Sequence, residues 1–181
     1  MFWTFFSFEI RYWIRSWMLW IFFLIIGLLI FGAVSAPDEI SVGGALGNTM
    51  QNAPFVIENF YSIICLLALI MTTAFVNSAA SREFAFNTDQ MVFSTPIRKL
   101  PYLAGRYLGS ALIAVIPILG VSLAILLAKH MPWVTPERWG PVFWQAHLNG
   151  VLIFALPNTL LIAAVIFAIA VLTLSLIHIS V

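Results

Sequence analysis

The sequence predicts an all-α fold: a polytopic bundle of transmembrane helices preceded by an amphipathic helix lying in the membrane interface. Three observations carry this. Only 8% of the 181 residues are charged and 62% are hydrophobic, with a mean hydropathy of +1.05, whereas a soluble domain needs roughly a quarter of its residues charged. Four apolar runs are each long enough to cross a bilayer. The first sixteen residues carry a narrow basic stripe on an otherwise aromatic helix.

That first segment covers residues 1–16. At about 100° per residue, Thr4, Ser7, Arg11 and Arg15 share one stripe, while Phe2, Trp3, Phe5, Phe6, Phe8, Tyr12 and Trp13 cover the rest. A helix of this kind lies along a membrane surface, with Arg11 and Arg15 at the lipid headgroups. Glu9 falls opposite the stripe. It either pairs with a neighbouring span or reaches the headgroups, and a buried functional carboxylate is the alternative. No small-residue cleavage site follows a short apolar core, so the segment does not read as a signal peptide.

The spans follow in order. Residues 17–34 give about 27 Å of helix, enough for the hydrocarbon core, with Trp17 and Trp20 as interfacial anchors. Residues 35–59 hold Pro37, Gly43, Gly44, Gly47 and Pro54, which predict turns and at most a short helix. The second span covers 60–80. The third covers 107–128 and carries Pro117 at its middle. Between the third and fourth spans, Thr135 before Pro136 reads as a capping hydroxyl ahead of proline at the first helical position, predicting a short surface helix. The fourth span covers 148–174. Pro157 and Asn158 interrupt it, as a kink or as an Asn158 lining a substrate path.

Within these bounds the four spans contain no Asp, Glu, Lys, Arg or His. A proton relay or ion-coupled carrier normally requires such groups. The sequence lacks GxxxxGK[ST], HExxH and GxSxG, so neither a phosphate loop nor these hydrolase motifs are present. His130, His147 and His178 are scattered and read as solvated interfacial residues. Cys65 lies in an apolar run as a packing residue. Catalytic, cofactor and metal sites are all read as absent, and the net charge of +1 gives no reason to expect nucleic acid as a partner.

The stretch 81–106 is the most informative polar segment. It holds four of the eight Lys and Arg residues: Arg82, Arg98, Lys99 and Arg106. With a cytoplasmic N-terminus, six basic residues fall on inner segments and two on outer ones, which orients both ends of the chain toward the cytoplasm. Asn87 or Thr88, with Gln90, reads as a cap for a short helix. Met91, Val92 and Phe93 form an apolar patch too short to span, and Pro96 ends it. A short helix with an exposed apolar face is suited to pressing on a partner.

This pattern resembles the membrane permeases of type-II ATP-binding-cassette (ABC) exporters. The resemblance is carried by Glu83, Thr88, Asp89, Met91 to Phe93, Thr95-Pro96 and Tyr102-Leu103-Ala104-Gly105-Arg106, and by residues 1–16 as a connecting helix. Asn87 stands where Gly is common and Arg106 where Lys is. The resemblance implies one permease domain over 1–174 in the plasma (inner) membrane. It also implies a separate ATP-hydrolysing subunit that docks on 81–106, a second permease half as homo- or heterodimer, lipid contact, and alternating access. The residues it assigns to coupling are Glu83, Thr88, Asp89, Met91, Val92, Phe93 and Pro96. A membrane scaffold or anchor is the alternative. Residues 175–181 resemble a translated sequencing adapter, so a non-native or truncated end is expected there, with further spans beyond it.

Overall fold

In the computed structural model, residues 1–36 and 49–179 are described. The side chains of Asp89, Phe93 and residues 174–179 lie outside that description, as do the turns expected over 37–48. Every regular element among the described residues is helical. They are α1 (Phe2–Ile14), α2 (Trp17–Ser35), α3 (Pro54–Ala85), α4 (Asp89–Phe93), α5 (Lys99–Val115), α6 (Gly120–Ala128), α7 (Trp144–Asn149) and α8 (Leu156–Ile179). A 3₁₀ turn, Ile116–Leu119, joins α5 to α6, and a π turn, Gly150–Ala155, joins α7 to α8.

Four continuous helical stretches are long and apolar enough to cross a membrane: Trp17–Ser35, Pro54–Ala85, Lys99–Ala128 and Trp144–Thr173. The chain is a multi-pass membrane protein with a helical-bundle fold. Three of these stretches extend beyond the sequence-based bounds, to Ala85 in place of 80 and from Lys99 in place of 107, for example. They therefore carry Glu58, Arg82, Glu83, Lys99, Arg106 and His147, which the shorter spans excluded. At the Arg82 and Arg106 ends the reason is electrostatic. Arg82, Glu83 and Arg106 are neutralised within one cluster with Glu9, and the helices continue through them.

Both interruptions follow from proline chemistry. Pro117 has no N–H to give to the carbonyl four residues back, and the chain tightens into the 3₁₀ turn around it. Pro157 has the same defect. The wider π turn precedes it and ends at Ala155, so the break in the fourth helix lies N-terminal to the proline. Pro136 starts only a single 3₁₀ turn, Pro136–Arg138, and the Thr135 side chain makes no capping bond. The expected surface helix is reduced to that turn.

The chain forms two compact units. The first contains Met1–Ser16, Leu69–Ala114 and the chain from Thr159 onward. Its core packs Val76 and Ala80 of α3, Ala111 of α5, and Ala163, Phe167 and Ala170 of α8. The α8 residues recur at intervals of four and three, one helical face, and the alanines allow close backbone approach. Tyr107 donates its hydroxyl to the Leu160 carbonyl at 3.0 Å and tilts against Phe167. The second unit contains Trp17–Ala68 and Val115–Asn158. Here α2 packs along the 3₁₀ turn and α6. Ile57, Phe60, Tyr61 and Ile64 of α3 are fully buried, again at helical spacing.

Candidate functional site

The site begins with an unusual burial. Glu9 of α1 is wholly inaccessible, and so are nearly all of Arg82, Glu83 and Arg106. Arg82 donates to both Glu9 oxygens, from Nη1 at 2.8 Å and from Nη2 at 3.0 Å, a bidentate pair. Arg106 reaches the same Glu9 carboxylate through Nη1, and its Nη2 pairs with Glu83. Two guanidinium groups and two carboxylates thus cancel within one cluster. α1 supplies one charge, α3 two and α5 one.

Aromatic rings enclose the cations. The Arg82 guanidinium lies 3.8 Å from the Tyr12 ring centre, with Phe8 and Trp13 further out. Arg106 lies 5.5 Å from Phe8 and from Tyr102. Such contacts replace part of the hydration the cations have lost. Trp13 also meets Phe75 edge-on at 4.6 Å, and Phe5 meets Tyr102 edge-on at 4.9 Å.

α1 reaches this depth because α5 offers a smooth seat. A Cβ on Gly105 would stand 2.9 Å from the Phe2 carbonyl oxygen and from the Phe5 Cβ; one on Gly109 would stand 2.7 Å from the Glu9 Cβ. The Gly105-x-x-x-Gly109 spacing puts both on one face of α5. Opposite that packed face, Arg11 and Arg15 are exposed as the amphipathic stripe requires. Glu9 takes the pairing role that the sequence left open.

The polypeptide between α3 and α5 holds α4. Its entry is a helix C-cap. Asn87 has φ +53°, the Thr88 N–H donates to the Glu83 carbonyl at 2.8 Å, and the Asn87 N–H donates to the Phe84 carbonyl at 3.2 Å. This is a Schellman closure of α3, with Asn in the left-handed position. The expected capping box is therefore corrected. Asn87 stops α3, and Thr88 stands at the α4 N-cap without a side-chain capping bond. The Thr88 hydroxyl donates backward to the Glu83 carbonyl at 3.3 Å.

The seven residues assigned to coupling by resemblance are not one surface. Glu83 is in the last turn of α3 and buried in the ion cluster, because Arg106 claims its carboxylate. Met91 is 74% exposed, Val92 half-buried and Pro96 exposed beyond the end of α4. The Asp89 and Phe93 side chains are outside the described set. Ser94 and Thr95 close the far end, each donating its hydroxyl to a carbonyl three residues back.

The second unit carries a neutral polar network. Tyr61 Oη and Ser122 Oγ lie 2.6 Å apart, and Ser122 Oγ lies 2.8 Å from His147 Nδ1. His147 is thus buried and bonded rather than solvated. Asn52 clamps the chain at Gly140, accepting from its N–H at 2.7 Å and donating to the Gly140 and Pro141 carbonyls. Asn158 is half-buried, and Cys65 is a buried free thiol. Among the described residues no cluster of three or more His, Cys, Asp or Glu residues is arranged to hold a metal ion.

Sequence reading missed the ion cluster and the Tyr61–Ser122–His147 chain. The Gly105-x-x-x-Gly109 spacing was a readable signal for the seat of α1. Comparison with family models, characterised proteins and solved structures finds no match to this chain.

Proposed function

We propose that the chain is the membrane-spanning permease of an ABC transporter, driven by a separate ATPase subunit that presses on α4. The observation that carries this reading is a five-residue helix, Asp89–Phe93, standing between two long apolar helices with Met91 exposed. Its flanking helices are joined by the Glu9–Arg82–Glu83–Arg106 cluster, so a force on α4 meets a braced base. Asn87 in the left-handed position also accounts for its replacing the family's usual Gly, since these two residues tolerate that backbone best. In this reading α4 and both chain ends face the cytoplasm of the inner membrane, as the basic-residue count favours. A second permease half completes the transport path, and Asn158 is a candidate lining residue.

The test is Met91→Asp. Met91 is too exposed to serve the core, so the variant should insert and fold. Burying a methionine stabilises a contact by roughly 1.5–3 kcal/mol, so removing it should weaken ATPase binding roughly tenfold to a hundredfold. The measurement is ATP hydrolysis co-purifying with the full-length protein, wild type against variant. A Met91→Cys variant in a Cys65→Ser background should accept a membrane-impermeant thiol reagent from the cytoplasmic side alone. Undiminished ATPase association in the Met91→Asp protein would remove α4 as the docking element and favour a scaffold.

A further inference from the structure

The sequence of α2 cuts a notch into one of its faces. Phe23, Gly27 and Phe31 stand four residues apart and share one row along the helix. A ring, a gap and a ring thus follow one another over about 12 Å of axis. A Cβ placed on Gly27 would meet nothing within 4 Å. α6 lies against the same region. A Cβ on its Gly120 would stand 3.1 Å from the Phe23 carbonyl oxygen and 3.4 Å from the Gly27 nitrogen, so the two backbones meet there. Alongside that contact runs a crevice of about 240 Å³ between α2 and α6. Buried Gly120 and Ala124 form its inner side. Its outer edges are the exposed Leu24 and Leu28 of α2 and Leu123 and Leu127 of α6.

Three features choose the occupant. The crevice stands at the middle of the membrane-crossing stretch Trp17–Ser35, and its leucine edges continue the exposed apolar surface of α2 at Ile21 and Ile25. What reaches it is the hydrocarbon interior of the bilayer, and its described lining is hydrocarbon throughout. Its width excludes a helix. Helices in contact have axes about 8–10 Å apart, and a third helix about 10–12 Å across cannot enter between them. Its size suits a chain. An apolar cavity of about 150 Å³ holds a benzene molecule, so this crevice takes a run of roughly ten carbons. A lipid tail that enters exchanges one apolar surrounding for another, so no hydrophobic gain drives it. The gain is contact, because atoms that face a void forfeit their dispersion partners.

We propose that the crevice between α2 and α6 is a lipid site. It seats one acyl chain of a membrane phospholipid along the Phe23–Gly27–Phe31 row, in place of the side chain that Gly27 lacks. The chain exchanges more slowly there than against a helix face without a notch.

The test uses the full chain in nanodiscs doped with a phosphatidylcholine that carries a diazirine midway along one acyl chain. After illumination, mass spectrometry maps where the lipid has inserted. The internal control is the face of α8 at Leu161, Val165 and Ile169, which is equally exposed and apolar. Insertion at the crevice should exceed insertion at that face several-fold. Gly27→Leu puts an aliphatic side chain into the open space and should bring the crevice down to the α8 level, with Gly27→Ala in between. Unchanged labelling of α8 shows that each variant is inserted and folded. If neither variant folds, the wild-type contrast between crevice and α8 decides the matter. Equal insertion at the two faces, or an excess that survives Gly27→Leu, means ordinary bilayer contact and overturns the proposal. So does a crevice shielded from the lipid probe whose Gly27→Cys variant, in a Cys65→Ser background, links two copies on oxidation. A second copy of the chain would then fill the notch.

Discussion

The two units bury polar groups by opposite means. The first gathers four full charges, Glu9, Arg82, Glu83 and Arg106, and cancels them at contact distance. The second strings neutral groups, Tyr61, Ser122 and His147, into a donor–acceptor chain. Both answer the same constraint, since an unpaired polar atom away from water costs several kcal/mol. They differ in how they fail. Removing one member of a charged set leaves a whole uncompensated charge, whereas removing one member of a neutral chain leaves unpaired dipoles. The charged arrangement is nearly all-or-none, and it stands where α1, α3 and α5 meet around the root of α4.

The largest predicted effect tests that distinction. Glu9→Met leaves Arg82 buried without its carboxylate and should destabilise by about 3–5 kcal/mol. α1 should then leave its seat. Backbone hydrogen exchange over residues 2–14 should rise well above the parent's, in which Phe5 packs edge-on against Tyr102 with ring centres 4.9 Å apart. The double change Glu9→Met, Arg82→Met keeps the Arg106–Glu83 pair and removes one charge of each sign, so it should recover most of the loss. If the double variant is as unstable as the single one, charge balance is not what holds α1. A smaller effect is expected in the second unit. Ser122→Ala leaves the Tyr61 hydroxyl and one nitrogen of His147 unpaired, which costs about 1–3 kcal/mol. Tyr61→Phe in the same chain should make the later loss of Ser122 cheaper, as a double-mutant cycle in mixed micelles would read. An unchanged cost for Ser122→Ala in the Tyr61→Phe background would mean that the two hydroxyls are not coupled.

Most of the fold was readable from local pattern. The apolar runs, the amphipathic first helix and the short helix before Pro96 are signals spread over a few neighbouring residues, and each produced an element. Pairing between distant residues was not readable. Glu9 meets Arg82 and Arg106 across 73 and 97 residues, and no spacing rule links such positions. Charges at the ends of apolar runs look alike whether they reach water or one another, so Arg82 and Arg106 read as loop residues. Asn87 and Thr88 illustrate a subtler ambiguity. Asn followed by Thr serves equally at the end of one helix and at the start of the next, and the left-handed Asn87 decides for the end of α3. His147 read as solvated because its partners, Tyr61 and Ser122, lie on other helices.

The smallest effect asks whether the charged cluster needs its aromatic roof. Tyr12 is 39% exposed and stands over Arg82 at 3.8 Å, so its ring both attracts the cation and limits water access to it. A cation–π contact at a partly exposed site is worth about 0.5–1 kcal/mol, and up to about 2 where desolvated. Tyr12→Phe keeps the ring face and should leave stability unchanged. Tyr12→Leu keeps apolar cover but loses the quadrupole, and should cost about 1 kcal/mol. In a Glu9→Met, Arg82→Met background no cation remains beneath the ring, and the same Tyr12→Leu change should cost close to nothing. Equal losses with and without Arg82, read from unfolding midpoints in mixed micelles, would reduce Tyr12 to ordinary packing. The charged cluster would then rest on ion pairing alone, and the two units would differ only in the charge they bury.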